Sequence, residues 1–580
     1  MDGLSTLTAP YLPRYHSCAD RLIAYLEQLQ ISCIFGVPGS NNDALVSASA
    51  RSEGHGGLKW ILARSEAGAA YMADGFYRES GRLAVCCSTS GPGFTNMITP
   101  VANAYVDNIP LLVITAQPPS SVMGRGAMQE MSNAGVDALM MFSSCTRYNS
   151  VVSHIDQLEP KLLAALSHAT GPTPGPVHLA FPADIFQQHM DIASHPASLA
   201  YFQGQTITPD DKRLKLLELL LRGSKSGVVV IGEGCEGELL PLLRYAEYRQ
   251  WPVVTTPMGR GLISTDHPLF RGVFGIAGHE SARQTLLSEQ ADTVLVVGVN
   301  LDESATCGWD GSTILSPRMI HVNANPERLA RSHMAKLNVL GSPAIVFNYI
   351  CSQWESSLSG LPMPVNSALT SGNVSLLHEA DCHRNDMPIN PRRLIFYLSQ
   401  LCPPTMRCFA DAGNSYFWVT HYWQPTFEHT RQINHLRLSM SYASMGWAPG
   451  AAIGCAFANR QAPVLCIMGD GSYLMNSQEI SVARQHDLNV VFVILNDSQL
   501  GTVRHGQKLA GNADHANTLP EVNYALIAKA MRIDSYRISS IEELEALDFP
   551  TLFEKPGPVL LDILVDPEIA PPIGVRVKRR

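Results

Sequence analysis

The chain has 580 residues, a net charge of −9, and only 16% charged residues against 46% hydrophobic ones. At about 100–200 residues per domain this length implies three or four domains, with cores large enough to need no disulfide or metal staple. Soluble domains average about 25% charged residues, so the shortfall points to surface hidden in helix-covered parallel sheets or in a permanent subunit interface, and it disfavours disorder.

Short apolar runs of strand length alternate with helical stretches along the chain, the pattern of α/β layers built on parallel sheets. The first block, residues 1–190, predicts strands at Cys33–Val37, Ala84–Ser88, Pro110–Thr115 and Val177–Phe181. The second, 205–350, predicts them at Gly227–Ile231, Pro252–Thr256, Thr293–Val299 and Met319–Val322. A stretch rich in Ser, Gly, Pro and Asn, Ser352–Ser375, reads as a linker within 351–385. The third block, 386–580, predicts strands at Arg407–Asp411, Val464–Met468, Val490–Leu495 and Val559–Leu564. Three α/β blocks of similar size suggest a duplicated or recruited architecture.

No apolar run approaches the roughly 18–20 residues of a membrane span, and Met1–Arg14 carries no basic-then-apolar signal, so a cytoplasmic protein is expected. The 13 cysteines contain no C-x-x-C pair and read as buried reduced thiols. Net acidity without a basic stripe argues against nucleic acid, and the cluster Arg576, Lys578, Arg579 and Arg580 reads as a solvated tail.

Chemistry concentrates in the third block. Strand Val464–Met468 runs into Gly469-Asp470-Gly471-Ser472, and Asn496-Asp497 closes the neighbouring strand Val490–Leu495. Glycines 469 and 471 let backbone approach an anion, Asp470 offers a hard carboxylate, and Asn496 offers an amide oxygen at a strand end. That set fits a Mg²⁺-bridged diphosphate at the carboxyl ends of an open α/β sheet.

With Phe35-Gly36-Val37-Pro38-Gly39, the helix segment from Glu66 to Gly75, Thr89-Ser90-Gly91-Pro92-Gly93-Phe94-Thr95-Asn96, Ser444-Met445-Gly446 and Gly469-Asp470-Gly471-Ser472 in order, the chain resembles the thiamine diphosphate enzymes of the acetolactate synthase, pyruvate oxidase and benzoylformate decarboxylase group. The resemblance covers nearly the whole chain and implies three Rossmann-like domains, binding pyrimidine, central and binding diphosphate. It implies that Asp470, Asn496 and the Ser498 carbonyl ligate Mg²⁺. It also implies that Asn96, Gly413, Asn414, Ser415, Ala443, Met445, Gly469, Gly471 and Ser472 contact the cofactor. Asn414 and Ser415 could equally cap a helix, and Met445 could be a core methionine. Glu66 is implied to hydrogen-bond the pyrimidine N1′ and so promote loss of the C2 proton, against the alternative of a glutamate favouring a helix N-terminus. Because the family joins the pyrimidine domain of one subunit to the diphosphate domain of another, a homodimer or homotetramer is implied.

The segment Gly124-Arg125-Gly126-Ala127-Met128-Gln129-Glu130 lacks the His pair of simple decarboxylases, and Gln129 matches the glutamine of carboligating members, with a plain polar turn as the alternative. The expectation is therefore a carboligase that decarboxylates a 2-oxo acid and adds what remains to an aldehyde, ketone or second 2-oxo acid. A non-ligating decarboxylase, a flavin-dependent oxidase and a silent homologue are the alternatives. Ser65, Met128, Arg147, Asn300, Ser304 and Gly506 depart from the acetolactate synthase pattern, which suggests a wider pocket and a larger acceptor. Ser40 matches a serine that contacts the substrate carboxylate in benzoylformate decarboxylase, or caps the following helix. Gly232-Glu233-Gly234-Cys235-Glu236-Gly237 follows a strand in dinucleotide-binding fashion, but no acidic residue closes the next strand. FAD, implied by the family in this domain, stays an open expectation because Gly275-Ile276-Ala277-Gly278, Asn300 and Ser304 replace its usual contacts.

Overall fold

The computed structural model describes residues 17–190, 206–355, 374–427 and 433–573. The N-terminal segment Met1–Arg14, the basic tail and most of the linker expected at Ser352–Ser375 lie outside the described residues. The chain forms two compact units, 1–73 with 82–204, and 74–81 with 205–580.

The first unit is built on one six-stranded parallel sheet. Its strands are β1 Cys33–Gly36, β2 Lys59–Leu62, β3 Ala84–Ser88, β4 Leu111–Gln117, β5 Tyr148–Val151 and β6 Val177–Pro182, in the order β2-β1-β3-β4-β6-β5. Every residue of β1, β3, β4 and β6 is buried, as expected for strands covered on both faces by helices. Ile34, Val85, Leu112, Ile114 and Leu179 form the core of one layer. Each fully buried aliphatic side chain of this kind contributes roughly 1.5–3 kcal/mol.

The second unit holds two further six-stranded parallel sheets. One comprises β7 Gly227–Ile231, β8 Val253–Thr255, β9 Phe270–Val273, β10 Thr293–Val297, β11 Met319–Asn323 and β12 Leu337–Leu340, in the order β12-β11-β10-β7-β8-β9. The other comprises β13 Arg407–Ala410, β14 Leu436–Leu438, β15 Val464–Gly469, β16 Val490–Asn496, β17 Asp534–Ile538 and β18 Val559–Leu564, in the order β14-β13-β15-β16-β18-β17. β15 and β16 run in register from Val464 opposite Val490 to Gly469 opposite Leu495, so both strands end at the same edge of the sheet. The expected linker starts later than its composition suggests. Helix Pro343–Glu355 enters it because Val346, Phe347, Ile350 and Trp354 bury one face, and a 3₁₀ turn at Glu379–His383 occupies its far end.

Within the second unit the Glu79 carboxylate is buried between two arginines. Arg407 Nε lies 2.9 Å and Arg437 3.3 Å from Glu79, Arg437 also lies 2.9 Å from Glu236, and Asn459 donates to Glu79 at 2.9 Å. Burial alone would raise the Glu79 acid, but the Arg437 and Arg407 charges overcome it and hold its pKa below the ordinary value. Helix Trp447–Ala458 packs through small residues. A Cβ on Gly75 would stand 1.8 Å from the Ala451 carbonyl oxygen, so glycine is required there.

All 13 cysteines are free thiols, and burial pushes those such as Cys33 and Cys87 up to about 12. Among the described residues no helix is long and apolar enough to cross a membrane.

Candidate functional site

In the first unit, Glu66 opens helix Glu66–Ser80, and Asn96 donates its side-chain amide to Glu66 Oε2 at 3.0 Å. Gly93 lies against the same carboxylate, because a Cβ there would stand 2.9 Å from Glu66 Oε1. Gln129 is exposed and adopts φ of 59°. Ser90 donates to Gln129 Oε1 at 3.5 Å and receives Asn41 Nδ2 at 2.6 Å, so Asn41 and Ser90 orient the Gln129 amide. Gln129 lines a cavity with Gly91, Thr95, Glu130 and Met131. Glu130 accepts from Ser132 Oγ and from the Gly124 amide at 2.6 Å, and these bonds hold it below the usual carboxylate range. Ser40 is exposed in the turn before helix Asp43–Glu53; the hydrogen bond that shapes this turn runs from the Gly39 amide to Asn42 Oδ1 at 2.7 Å.

In the second unit, the ends of β15 and β16 and the start of helix Asn414–Tyr422 border one pocket, lined among others by Gly413, Asn414, Met445, Asp470 and Asp497. Gly413 caps that helix at φ of 115°, a conformation favouring glycine, and aims the helix N-terminus into the pocket. Thr502 donates to Asn414 Oδ1 at 2.8 Å, which leaves the Asn414 amide hydrogens for a ligand. Nothing lies within 4 Å of where a Gly469 Cβ would stand, so the chain is open there. Asp470 is 1% exposed; its Oδ1 accepts the Gly471 amide at 2.8 Å, whereas its Oδ2 is buried without a partner. Burial first, and then the Asp497 charge, push Asp470 up to about 7; burial pushes Asp497 up to about 6. Two carboxylates destabilised by burial, with the Asp497 charge adding to the effect on Asp470, form a donor set that suits a divalent cation.

At the β16 end, neither Asn496 nor Ser498, both expected on the metal, is among the residues lining the pocket. The Asn496 amide donates to Asp562 Oδ1 at 2.8 Å and to the Val522 carbonyl at 3.2 Å, locking the strand end to β18. The Ser498 carbonyl, expected on the metal, accepts the Leu519 amide at 2.8 Å. The next residue along from Asn496, Asp497, is the one that lines the pocket. Gln499 holds it, donating from Nε2 to Asp497 Oδ2 at 3.2 Å and from its backbone to Oδ1 at 3.3 Å.

Two other expected contacts are engaged within the protein. Ser415 Oγ donates to the Asp411 carbonyl at 2.9 Å, and Ser472 Oγ donates to Asp411 Oδ2 at 2.8 Å. Asp411 also accepts the Gly446 amide at 2.8 Å, so it ties the turn carrying Met445 to the start of helix Asp470–Asn476. Ala443 in that turn has φ of 60°. Asp411, Gln499, Gly501 and Thr502 were not singled out from sequence. The signal for them is their adjacency to motif residues at strand ends, where sheets of this kind bind ligands.

The residues present fit a metal-bound diphosphate, on the orphaned Asp470 Oδ2 and the open backbone at Gly469. They do not fit FAD held in strand-turn-helix fashion. After β7 the chain makes a 3₁₀ turn, Glu233–Cys235, rather than a helix N-terminus. Its glycines serve packing, since a Cβ on Gly232 would stand 2.3 Å from the Gly298 oxygen. The segment Gly275–Gly278 lines a cavity of about 550 Å³ that presents Glu280 and Glu303 against the single cation Arg283, a poor balance for a dinucleotide.

Family models match the chain in three places. The thiamine pyrophosphate enzyme N-terminal TPP binding domain covers residues 16–136, the central domain 215–350 and the C-terminal TPP binding domain 411–563. The chain is 30% identical over 577 residues to acetolactate synthase 1, chloroplastic, of Zea mays, a match covering 94% of this chain and 85% of that one. It is 27% identical over 564 residues to the acetolactate synthase isozyme 1 large subunit of Escherichia coli K12, covering 95% and 94%. Its fold matches a solved protein from Mycobacterium smegmatis, provisionally assigned as thiamin diphosphate-dependent, with a TM-score of 0.76 over 95% of this chain and 99% of that one at 21% identity.

Proposed function

Because the chain belongs to the thiamine diphosphate-dependent enzymes of the acetolactate synthase type, we propose that it decarboxylates a 2-oxo acid, pyruvate by preference, and joins the remaining fragment to an aldehyde, a ketone or a second 2-oxo acid. Thiamine diphosphate, when bound, supplies the carbon nucleophile and the electron sink that decarboxylation requires. In this reading residues 1–190 hold the pyrimidine, 205–350 form the central domain and 386–580 hold the diphosphate, in the cytoplasm.

Glu66, steadied by Asn96, would hold the proton shared with the pyrimidine N1′. Asn414 and the helix N-terminus behind Gly413 donate to the diphosphate, with backbone at Gly469 and Gly471 close by. Asp470 and Asp497 hold Mg²⁺. Ala443, through its carbonyl, and Met445 would contact the pyrimidine part of the cofactor. The Asp411 bridge through Ser472 and the Gly446 amide supports this arrangement by fixing the Met445 turn relative to Asp470.

The observation that carries ligation over simple decarboxylation is the polar lining beside Gln129. Gln129 is a neutral amide that can orient a carbonyl, and Glu130 is held ionised. Neither is a ready proton donor, and no histidine is among the described residues lining that cavity. An acceptor carbonyl therefore competes well against protonation. Ser40 is the candidate for the substrate carboxylate.

A second copy of the chain completes the active centre in this reading, as a homodimer or homotetramer. Exposed apolar side chains support it: Met128 is 87% exposed in the first unit and Met475 57% in the second. The test is product analysis after incubating the purified protein with thiamine diphosphate, Mg²⁺ and pyruvate, alone and with a panel of aldehydes and 2-oxo acids. Acetolactate, acetoin or a mixed hydroxyketone is expected; acetaldehyde or acetyl phosphate alone refutes ligation.

A further inference from the structure

The pocket at the ends of β15 and β16 has a charge balance unsuited to a diphosphate by itself. Asp470, Asp497 and Asp566 line it, and among its described lining residues there is no lysine, arginine or histidine. Asp470 lines this space and is buried with Oδ2 unpartnered. Bringing a polyanion against these carboxylates in a dry pocket is strongly unfavourable unless a cation intervenes. One divalent cation is neutralised by Asp470 and Asp497 together, before any phosphate oxygen contributes.

We propose that Asp470 and Asp497 form a two-carboxylate site that binds a divalent cation in the absence of diphosphate, so that the cation loads first and the cofactor binds to the loaded site, with Gln499 as the residue that positions Asp497. This rests on the thiamine diphosphate reading above and specifies how its site is assembled. The positioning role follows from the contacts. Gln499 Nε2 donates to Asp497 Oδ2 and to the Pro567 carbonyl at 2.9 Å, while its Oε1 accepts from Arg504 at 2.7 Å. Arg504 is itself fixed by Asp514 at 3.1 Å and Glu568 at 2.6 Å. Every polar atom of the Gln499 side chain is therefore committed, and its amide cannot turn away from Asp497. Gly501 lets the carboxylate sit where it does, since a Cβ there would stand 2.8 Å from Asp497 Oδ2.

The experiment titrates Mn²⁺ into the full chain freed of cofactor, by calorimetry and by electron paramagnetic resonance of unbound Mn²⁺, with and without thiamine diphosphate. One equivalent is expected to bind without the cofactor. Asp497→Asn is expected to weaken that binding at least 10-fold, and Gln499→Ala to weaken it about 3-fold or more, each with circular dichroism unchanged. Mn²⁺ that binds only when thiamine diphosphate is present overturns the proposal, as does an Asp497→Asn protein with wild-type affinity; a Gln499→Ala protein with wild-type affinity overturns the positioning role. The wild-type titration decides the main point even if a variant does not fold. Failure of thiamine diphosphate to bind the Mn²⁺-loaded protein would instead strike the cofactor reading, leaving the cation result intact.

Discussion

Asn96 donates its side-chain amide to Glu66 Oε2 at 3.0 Å, fixing the carboxylate that opens helix Glu66–Ser80. Replacing that carboxylate by the isosteric amide keeps the size and the Asn96 contact but removes a group able to share a proton with a ring nitrogen. Glu66→Gln is expected to lower kcat by about 10²–10⁴-fold while thiamine diphosphate still binds in the presence of Mg²⁺. Steady-state kinetics together with calorimetric cofactor binding check this, and a variant turning over at the wild-type rate removes Glu66 from the assigned role.

Gly501 is the point where Asn414 and Asp497 crowd together, because a Cβ there would stand 2.4 Å from Asn414 Nδ2 and 2.8 Å from Asp497 Oδ2. Gly501→Ala must push apart the proposed diphosphate donor and the proposed cation ligand at once. The expected result is a loss of cofactor and Mg²⁺ affinity of at least 10-fold, with a stability loss of only roughly 1–3 kcal/mol, the usual cost of overpacking. Calorimetry measures the first and chemical denaturation the second; unchanged affinity would show that the two side chains need not sit where they do.

The twelve strands legible in the sequence are the four inner strands of each sheet, and the six it does not reveal, β2, β5, β9, β12, β14 and β17, are the six sheet edges. The reason is burial. Inner strands such as β4 and β16 are covered on both faces and read as unbroken apolar runs, whereas β5 is half-buried throughout and β17 alternates exposed and partly buried residues. Gly469-Asp470 stood out in the sequence as an open backbone beside a carboxylate at a strand end, and the structure places both on the pocket lining. Asn496 and Asp497 were not distinguishable, since successive residues at a strand end point in opposite directions and sequence does not say which one faces the pocket. In the structure Asn496 bonds to Asp562, on another strand, and Asp497 lines the pocket. Ser415 and Ser472 line the pocket, but their hydroxyls donate to Asp411, a partner supplied by tertiary structure.

Glu79 joins Arg407 and Arg437 with side chains only 1–3% exposed, so removing its charge leaves two buried guanidinium groups facing each other. Glu79→Gln is expected to cost about 3–5 kcal/mol, read as a lower denaturation midpoint. The pH dependence has a definite sign. Because the folded carboxylate is held below its ordinary value, its stabilisation is fully present above the unfolded pKa and is lost as pH falls through the folded one. The variant should therefore lose most at neutral pH and converge toward the wild type in acid; a constant deficit across pH would contradict the ion-pair account.

His421 and His279 stack at 4.6 Å inside the second unit, and both are buried in neutral form. His421 Nε2 accepts the Leu377 amide at 2.8 Å and Nδ1 donates to the Ala277 carbonyl at 3.1 Å, while His279 Nε2 donates to the His421 carbonyl at 2.9 Å. Burial, with Arg392 nearby, lowers His421 to about 4, and burial together with the His421 and Arg260 charges lowers His279 well below its usual value. A second proton on His421 would turn its Nε2 from acceptor into donor against the Leu377 amide. Below pH of about 6.5 the unfolded chain therefore takes up protons that the folded chain refuses, and stability falls as pH drops toward 4, by about 3 kcal/mol from His421 alone. His178, His321 and His435, also lowered by burial, steepen the same decline, so the informative quantity is a difference. Denaturation of His421→Gln between pH 4.5 and 6.5 should show a shallower slope than the wild type by about one proton, roughly 1.4 kcal/mol per pH unit, although the variant is less stable at pH 7. Identical slopes would mean that His421 is protonated in the folded protein and that its bond from Leu377 does not form.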